Sequence, residues 1–245
     1  MFQPASLKGF CCPIDERIRK KYLIIYLIII LLSFVPCSIF EYWYIFSFWQ
    51  EGRYWLFFLL LPFNVLVLIY ILQLCATFFS FLFLTIIKLF HEPKEGFFKR
   101  DTKDKDYLYW NLRNLIKKWP LYIVASNPFP WLKNRFTLRF FGVKIGKKSI
   151  CDNSWISSEF ISIGKNIIIG MGSTLLSFGI EQDNFIIKKI VIEDNVLIGA
   201  HCQLMYGTIM KERAKISAHS YTNPNQVLEK DTIYIGHPAK LKKTN

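Results

Sequence analysis

Charged residues are missing from two long stretches of this sequence. Tyr22 to Phe40 is 19 residues without a charge, and Tyr54 to Ile87 is 34 residues without one. A helix that spans a membrane needs roughly 20 apolar residues. The first stretch is too long for the apolar part of a cleaved secretory signal, and no small-residue cleavage pattern follows it. Residues 1–90 are therefore predicted to form a membrane anchor, with spans at about 22–40 and 54–80.

The second charge-free stretch is longer than one span requires. As a single helix it would be about 50 Å long at ~1.5 Å per residue, whereas the hydrocarbon core of a bilayer is about 30 Å thick. Three alternatives accommodate the excess. The helix tilts, it kinks near Pro62, or its last turns lie outside the lipid.

Basic residues are scarce between the two predicted spans, where Arg53 is the only one. They are frequent before the first span and after the second, from Arg17 to Lys21 and from Lys88 to Lys105. Because cytoplasmic segments next to a span are enriched in Lys and Arg, both termini and everything after residue 90 are predicted to be cytoplasmic. Aromatic residues between Tyr42 and Trp55 are typical of anchoring at the opposite interface.

Acidic residues are in the minority. The chain has 18 Asp and Glu against 31 Lys and Arg, a net charge of +13, and residues 88–245 hold 25 of the basic and 14 of the acidic residues. Such a surface suits nucleic acid, anionic lipid or a phosphorylated cofactor. No nucleic-acid recognition motif accompanies the charge, so nucleic acid is not a predicted partner. Membrane lipid is the simplest one.

Residues 91–140 are predicted to link the anchor to the rest of the chain. Residues 91–106 are a polar connector, and residues 125–141 an irregular neck. Between them an amphipathic helix is predicted up to Pro120, with an apolar face opposite a polar one that carries Arg113, Asn114, Lys117 and Lys118. The apolar face is formed by Leu108, Leu112, Leu115, Ile116 and Trp119. This helix could lie on the bilayer surface or pack on the following domain.

From residue 145 onward, the sequence repeats every six residues. One series of anchor positions consists of Ile145, Cys151, Ser157, Ile163, Ile169 and Leu175. A second series consists of Ile192, Ile198, Leu204, Met210, Ile216 and Thr222. Small or medium residues follow most anchors by four positions, among them Ser149, Ser173, Val196, Cys202, Thr208, Ala214 and Ser220.

A six-residue period fits neither an α-helix nor an alternating strand. It fits a triangular coil with one hexapeptide on each side, apolar anchors inside and 18 residues in each turn. No turn can bury its own core, so turns must stack, and twelve hexapeptides give about four turns. The two series are out of register, because Leu175 and Ile192 are 17 residues apart. A loop is therefore predicted to leave the coil within about 176–190, a place where functional sites tend to lie.

This pattern resembles the hexapeptide-repeat acyltransferase superfamily. Beside the repeats, the resemblance rests on the lead-in at 138–149, the run IEDNVLIGAHC at 192–202 and the ending IYIGHPAKLKK at 233–243. It implies a mainly β fold for residues 141–245, a left-handed parallel β-helix, here preceded by two transmembrane helices and the amphipathic helix. It also implies a homotrimer that binds a CoA thioester in a groove between adjacent coils.

The resemblance implies that a histidine acts as the general base of acyl transfer. His201 and His219 are 18 residues apart and are expected to stack on one face, about 4.8 Å apart. They are the predicted catalytic residues, with His201 as the base. Many relatives instead place this histidine in or before the protruding loop, whereas residues 171–191 contain none. A carboxylate in that loop, or a catalytically silent coil, are the alternatives.

The acyl donor implied by the resemblance is acetyl-CoA. Gly236 and Ala239 are expected near its pantetheine arm and Lys240 near its phosphates. Ala200 and Ala218 are small and would let the cofactor approach the coil. The related γ-class carbonic anhydrases hold metal with a close histidine pair, which a spacing of 18 does not supply, and the six cysteines have no zinc-like spacing, so no metal is predicted.

The function predicted from these features is acyl transfer at the membrane. An acetyl group would pass from acetyl-CoA to a hydroxyl or amine of a sugar or of an envelope or lipid-linked acceptor. The alternative is a catalytically silent trimeric scaffold at the membrane. A titration with acetyl-CoA would separate the two hypotheses.

Overall fold

A computed structural model describes residues 16–101, 103–125, 136–151, 154–182 and 184–242. The chain forms two compact units. Within the described residues, the helical unit contains residues 16–92 and 111–125, and the coil unit contains residues 93–110 and 136–242. The predicted neck lies largely at 126–135, outside the described residues.

The helical unit is built on two long apolar helices. Helix α1 (Glu16–Ile45) continues into a π-helical turn at Phe46–Gln50, and helix α2 (Tyr54–Phe90) follows. By length and composition both helices could cross a membrane. Helix α2 is one continuous helix that includes Pro62.

The buried stripe of α2 is mostly polar. Asn64, Gln73, Thr77 and Ser80 are all at most 6% exposed. The Asn64 Nδ2 donates to the Glu41 carboxylate at 2.9 Å, and the Gln73 Nε2 donates to the Ile123 carbonyl at 3.5 Å. Small and polar residues are typical of contacts between transmembrane helices, because helices in lipid associate through close packing and hydrogen bonds.

Helix α3 (Lys105–Ala125) differs from its prediction in two ways. It continues past Pro120, whose missing N–H leaves the Ile116 carbonyl without its helical donor. The Ser80 hydroxyl donates to that carbonyl at 3.2 Å. Arg113 and Lys117, predicted on the polar face, are only 1% and 2% exposed. Burial of these two residues depends on tertiary packing, which the helical period alone does not contain.

The coil unit consists of short parallel strands in three sheets. The first sheet contains β2 (Lys144–Ile145), β4 (Ile161–Ile163), β9 (Ile190–Ile192), β12 (Ile209–Met210) and β14 (Val227–Leu228). The second contains β5 (Ile168–Ile169), β10 (Leu197–Ile198), β13 (Lys215–Ile216) and β15 (Ile233–Ile235), with β16 (Lys240–Leu241) antiparallel at its end. The third contains β3 (Trp155–Ile156), β6 (Thr174–Leu175) and β11 (Gln203–Leu204).

The predicted anchors fill the interior of this coil. Ile163, Ile169, Ile198 and Leu204 are at most 4% exposed and lie on strands, which confirms the inward direction of the six-residue repeat. Ser157 is the exception. The inward residue there is Ile156, 5% exposed, because Ile156 is the residue that pairs with the buried Leu175.

Most corners of the coil hold a left-handed residue three positions after an anchor. Asn166, Asn195, Arg213 and Asn225 have positive φ angles of 54° to 61°. Asparagine and glycine tolerate this conformation best. The small residues four positions after the anchors are buried inside the corners, among them Ser173, Cys202, Thr208, Ala214 and Ser220.

The segment that leaves the coil is an ordered arm. Strands β7 (Phe178–Glu181) and β8 (Asn184–Ile187) form an antiparallel hairpin, and β1 (Gly96–Lys99) pairs with β8 on its other side. The predicted departure of residues 176–190 from the coil is confirmed. This segment forms a β-sheet rather than a loop, and the polar connector contributes to it a strand that its sequence did not predict. Trp110 packs against the rings of Phe178 and Phe185, with ring centroids 4.9 and 4.4 Å apart.

Candidate active site

The two predicted catalytic histidines lie on top of each other at one corner of the coil. The ring centroids of His201 and His219 are 5.1 Å apart, and the ring planes differ by 16°. Both backbones are left-handed, with φ of 53° and 57°. The His201 N–H donates to the Met171 carbonyl, and the His219 N–H donates to the Ala200 carbonyl, both at 2.9 Å. These bonds hold successive corners in register, so the two exposed imidazoles stack.

A glycine on the other side of His201 completes this column. Gly172 has φ +72°, and a Cβ built there would overlap Nδ1 of the His201 ring. The imidazole therefore lies directly over a residue that has no side chain. Gly172 is not among the site residues predicted from the sequence. It stands three positions after the anchor Ile169, in the same repeat position as His201, and that phase is the signal that would have found it.

The histidine corner borders an exposed apolar face. On the second sheet the outward residues Ile168 and Leu197 lie side by side and are 48% and 41% exposed. Ile233, 41% exposed, lies beyond the exposed Lys215. Strands β5, β10 and β13 each run into a corner, and these corners hold Gly172, His201 and His219 respectively. The imidazoles therefore lie at the rim of an exposed surface that is mainly apolar, and exposed apolar patches are typical of binding surfaces.

His237 does not join the histidine column, although it is 18 residues after His219. Its ring lies against that of Tyr221, with centroids 5.6 Å apart. Strand β15 is three residues long, and the chain then reverses into the antiparallel strand β16. The 18-residue repeat ends at this reversal, so the spacing no longer places a residue in the column.

The residues predicted to bind the cofactor divide into two groups. Ala200 and Ala218 directly precede the histidines at the same corners, where the coil is tightly packed. A Cβ built on Gly170 or Gly199 would overlap the backbone N of Ala200 or of Ala218. Gly170 and Gly199 therefore have no room for a side chain, and Ala200 and Ala218 carry only a methyl group, so few side-chain atoms rise from the coil beside the imidazoles.

The second group lies around strand β16. Gly236 has φ +110° and donates its N–H to the Ser220 hydroxyl at 3.0 Å. Ala239 is 2% exposed, its N–H donates to the Tyr221 carbonyl, and its own carbonyl accepts from Gln226. Lys240 is exposed. Because Ala239 is buried, it can affect only the shape of the surface around β16. Lys240 is exposed and can contact an anion.

The arm is held to the coil by a tyrosine and a carboxylate. The Tyr206 hydroxyl donates to Glu181 in the arm, and the Tyr206 ring packs against Gly179, where a Cβ would overlap it. Burial, together with the neighbouring Glu181 carboxylate, raises the pKa of the Tyr206 phenol well above its ordinary value. Because Glu181 already accepts this bond, it is a weaker candidate for a free general base than the exposed imidazoles.

Other polar groups of the arm are also engaged. The Ser177 hydroxyl donates to the Glu159 carbonyl at 2.6 Å, and Phe178 belongs to the aromatic contact with Trp110. Asp183 lies outside the described residues. Among the described residues, no group of three or more His, Cys, Asp or Glu side chains is placed to hold a metal ion.

The sequence is similar to known proteins over the coil. A family model described as the hexapeptide repeat of succinyl-transferase matches residues 189–221. The Bacillus subtilis (strain 168) protein named "Putative acetyltransferase YvoF" is 31% identical over 100 residues, which are 39% of this chain and 58% of that protein. The chain thus matches less than two thirds of the length of this relative.

Solved structures with partial similarity include two acetyltransferases. The hexapeptide-repeat acetyltransferase VCA0836 from Vibrio cholerae is 27% identical, with 42% of this chain and 62% of that chain covered and a TM-score of 0.39. The serine acetyltransferase of Neisseria gonorrhoeae, in complex with serine, is 17% identical, with coverages of 71% and 56% and a TM-score of 0.36. Both TM-scores are below 0.5, so the similarity rests on the sequence matches and the repeat. In sequence the coil is therefore similar to the hexapeptide-repeat acyltransferases.

Proposed function

We propose that this protein is a membrane-anchored acyltransferase. It moves an acetyl group from acetyl-CoA to a hydroxyl or amine of a sugar or of an envelope or lipid-linked acceptor. The observation that carries the proposal is the column of Gly172, His201 and His219 at the rim of an exposed apolar face. The similarity of the coil to a protein named as an acetyltransferase supports the same reaction.

The architecture that we propose has three parts. Residues 1–90 anchor the chain in the membrane with both termini in the cytoplasm, residues 91–140 link the anchor to the coil, and residues 141–245 form a cytoplasmic left-handed β-helix of about four turns. Helices α1 and α2 are long and apolar enough for the anchor. Helix α3 packs by its buried side, Leu112, Ile116 and Val124, which supports a role in the link rather than on a free bilayer surface.

The coil is proposed to work as a homotrimer. The outward face of the second sheet exposes Ile168, Leu197 and Ile233, and burying each such side chain in an interface stabilises association by up to about 1.5–3 kcal/mol. The histidine corner at the rim of this face would then open into a groove between two chains. Such a groove is the setting in which the acyl donor and the acceptor can be enclosed together.

The residues around this corner fit a CoA thioester. The small side chains of Ala200 and Ala218 leave room beside the imidazoles for the narrow pantetheine arm. Lys240 is exposed and offers a cation for the phosphates. Gly236 and Ala239 shape the turn that carries Lys240.

In the proposed mechanism, His201 acts as the general base. Its neutral imidazole accepts the proton of the acceptor hydroxyl or amine while the acceptor oxygen or nitrogen attacks the thioester carbonyl. Backbone N–H groups stabilise the oxyanion of the tetrahedral intermediate. The C–S bond then breaks, the imidazolium returns its proton to the CoA thiolate, and acetylated acceptor and free CoA thiol leave. His219 supports the His201 ring by stacking and is the second candidate for the base.

Removal of the imidazole tests this role. We expect His201→Ala to lower acetyl transfer at least about 100-fold, as is typical when a general base is lost, while the trimer and its affinity for acetyl-CoA are retained. The measurement is the release of CoA thiol by the full chain in nanodiscs supplied with lipid-linked sugar acceptors. Unchanged activity would remove His201 from the base role, and the same assay on His219→Ala would then test its neighbour.

Titration with acetyl-CoA separates the enzyme from the scaffold. An active acyltransferase is stabilised by its donor, because a ligand that binds only the folded state raises the unfolding temperature. We expect a rise in the thermal midpoint of the full chain in detergent micelles with acetyl-CoA. Absence of any rise, even at millimolar donor, would favour a catalytically silent trimeric scaffold.

A further inference from the structure

The lead-in to the coil and the start of its first turn carry a concentration of basic residues. Residues 136–151 contain Arg139, Lys144, Lys147 and Lys148 and no Asp or Glu, and the acidic residues Asp152 and Glu159 follow later in the turn. All four cations are exposed, and within the described part of the chain none of them takes part in an ion pair. Arg213, further along the coil, instead pairs with Asp231.

These cations surround one end of the coil. Strand β2, with Lys144, is the edge strand of the first sheet, and strand β3 is the edge of the third. The short helix α4 (Leu138–Phe140) covers the end, where Leu138, Phe141 and Val143 are at most 2% exposed. The Arg139 guanidinium donates to the Ile145 carbonyl at 2.8 Å, which ties this cap to β2.

Large apolar side chains are also exposed at this end. Phe136, Phe140 and Trp155 are 41%, 45% and 64% exposed, whereas the exposed Ile150 pairs with Ile168 and belongs to the outward face of the second sheet. We name Phe136, Phe140 and Trp155, together with Arg139, Lys144, Lys147 and Lys148, the end patch. Exposed aromatic side chains among cations are the composition of surfaces that insert shallowly into a bilayer while the cations meet lipid phosphates.

Lysines at sheet edges have another known use, which is to prevent edge strands from pairing with other chains. That use accounts for Lys144 on β2. It does not account for Trp155, Phe136 and Phe140, because exposed apolar side chains at an edge promote association with other surfaces rather than prevent it. The combination of both residue types therefore favours a docking surface over edge protection alone.

We propose that the end patch docks the coil onto the surface of an anionic bilayer. The inference rests on the membrane anchor of the proposed function but not on its chemistry. In the sequence, only ten residues separate the end of α3 from Phe136. A chain whose anchor is inserted therefore keeps the end patch close to the membrane. A coil held end-on would keep the acyl-transfer corner at a fixed height above the lipid headgroups, where a lipid-linked acceptor presents its polar group.

Hydrogen–deuterium exchange of the full chain in nanodiscs tests the docking. The probes are nanodiscs of phosphatidylcholine alone and of phosphatidylcholine with one third phosphatidylglycerol. We expect amides 143–151 to exchange at least about tenfold more slowly in the anionic nanodiscs, since each basic residue near an anionic surface contributes roughly a fivefold factor. About 1 M NaCl should remove the difference, because the Debye length falls to about 3 Å.

A matched pair of variants locates the effect. The end variant Lys144→Gln, Lys147→Gln, Lys148→Asn removes three charges from the patch, with asparagine chosen because Lys148 has φ 61°. The distal variant Lys215→Gln, Lys230→Gln, Lys242→Gln removes three charges elsewhere. We expect protection to be lost in the end variant and kept in the distal one, while exchange of strands β12 and β14 reports an intact coil in both.

Three results would overturn the docking surface. These are equal exchange in both kinds of nanodisc, equal losses in the two variants, and slowing by a short DNA duplex in phosphatidylcholine nanodiscs without any slowing by phosphatidylglycerol. Release of the chain from membranes by alkaline carbonate would count instead against the anchor. A chain that resists carbonate but shows equal exchange would contradict the end patch alone.

Discussion

Left-handed backbone at the corners determines which side chains of the coil can stand in one column. Asparagine or glycine occupies many of these positions, because their steric cost there is low. Histidine occupies two of them, His201 and His219, and so places two imidazoles on one outer edge, 5.1 Å apart. Lys148, Arg213 and Asp231 have the same left-handed backbone, so the φ angle belongs to the corner and determines where the imidazoles stand.

Gly172 should control the position of the His201 ring. The change Gly172→Ala adds a Cβ at φ +72°, where it would overlap Nδ1 of the imidazole. We expect acetyl transfer to fall at least about tenfold because the ring must move, a displacement of the kind that costs large factors in rate. We expect stability to fall by about 1–3 kcal/mol through backbone strain.

Gly207→Ala is the matched control for this change. Gly207 has φ +73°, and its added Cβ would overlap the Asn225 side chain instead of a histidine. Thermal unfolding and CoA-thiol release of both variants are the measurements. Both should lose similar stability, and only Gly172→Ala should lose activity. Equal activity of the two variants would show that the His201 ring has no special position to keep.

Among the elements, the arm joins a hairpin to a strand that is distant from it in sequence. Strands β7 and β8 leave the coil, and β1 comes from the segment that follows α2. The excursion follows from the lost register between Leu175 and Ile192, which is visible in a single sequence. The pairing of Gly96–Lys99 with Asn184–Ile187 is not, because a four-residue strand in a polar context is defined by its partner strand rather than by its own pattern.

The Tyr206–Glu181 bond should make the attachment of the arm sensitive to alkaline pH. The pKa of Tyr206 is raised in the folded state, so the hydroxyl keeps its proton in the fold when the unfolded chain begins to lose it, near pH 10. The stabilising effect of the buried phenol is therefore complete below about pH 10 and is lost as the pH rises towards the folded pKa.

The variant Tyr206→Phe removes both the bond and this titration. We expect it to lower stability by about 0.5–1.5 kcal/mol at neutral pH, the usual value of a hydrogen bond. The deficit relative to the natural chain should shrink above about pH 10. Chemical unfolding in detergent micelles between neutral and alkaline pH is the measurement. Tyr234→Phe is the control at neutral pH for the loss of a tyrosine hydroxyl, since the Tyr234 hydroxyl accepts from the Glu229 N–H.

At the scale of the whole molecule, the coil could be predicted well and the rest of the chain only in part. Ile163 and Leu204 follow a period that belongs to the local backbone, so their inward direction was correct. Arg113 and Lys117 followed the helical period equally well and are nevertheless buried, because the partners of α3 lie elsewhere in the sequence. The candidate site shows the same division. The histidine pair follows from the repeat. Gly172 has the same repeat phase, but only the structure shows that the His201 ring lies over it.

Two glutamate substitutions test whether the outward face of the second sheet forms the contact between subunits of the proposed trimer. Leu197 on that sheet and Val227 on the first sheet are both 41% exposed, so either can be changed to glutamate without affecting the core. Leu197→Glu would bury a carboxylate in each contact, at a desolvation cost of several kcal/mol per ion that the neighbouring Lys215 offsets only in part. We expect this variant to be monomeric in detergent by light scattering and inactive, because the groove beside His201 needs the neighbouring chain. Val227→Glu should remain trimeric and active. If Leu197→Glu stayed trimeric while Val227→Glu dissociated, the subunit contact would belong to the first sheet, and the histidine corner would not face it.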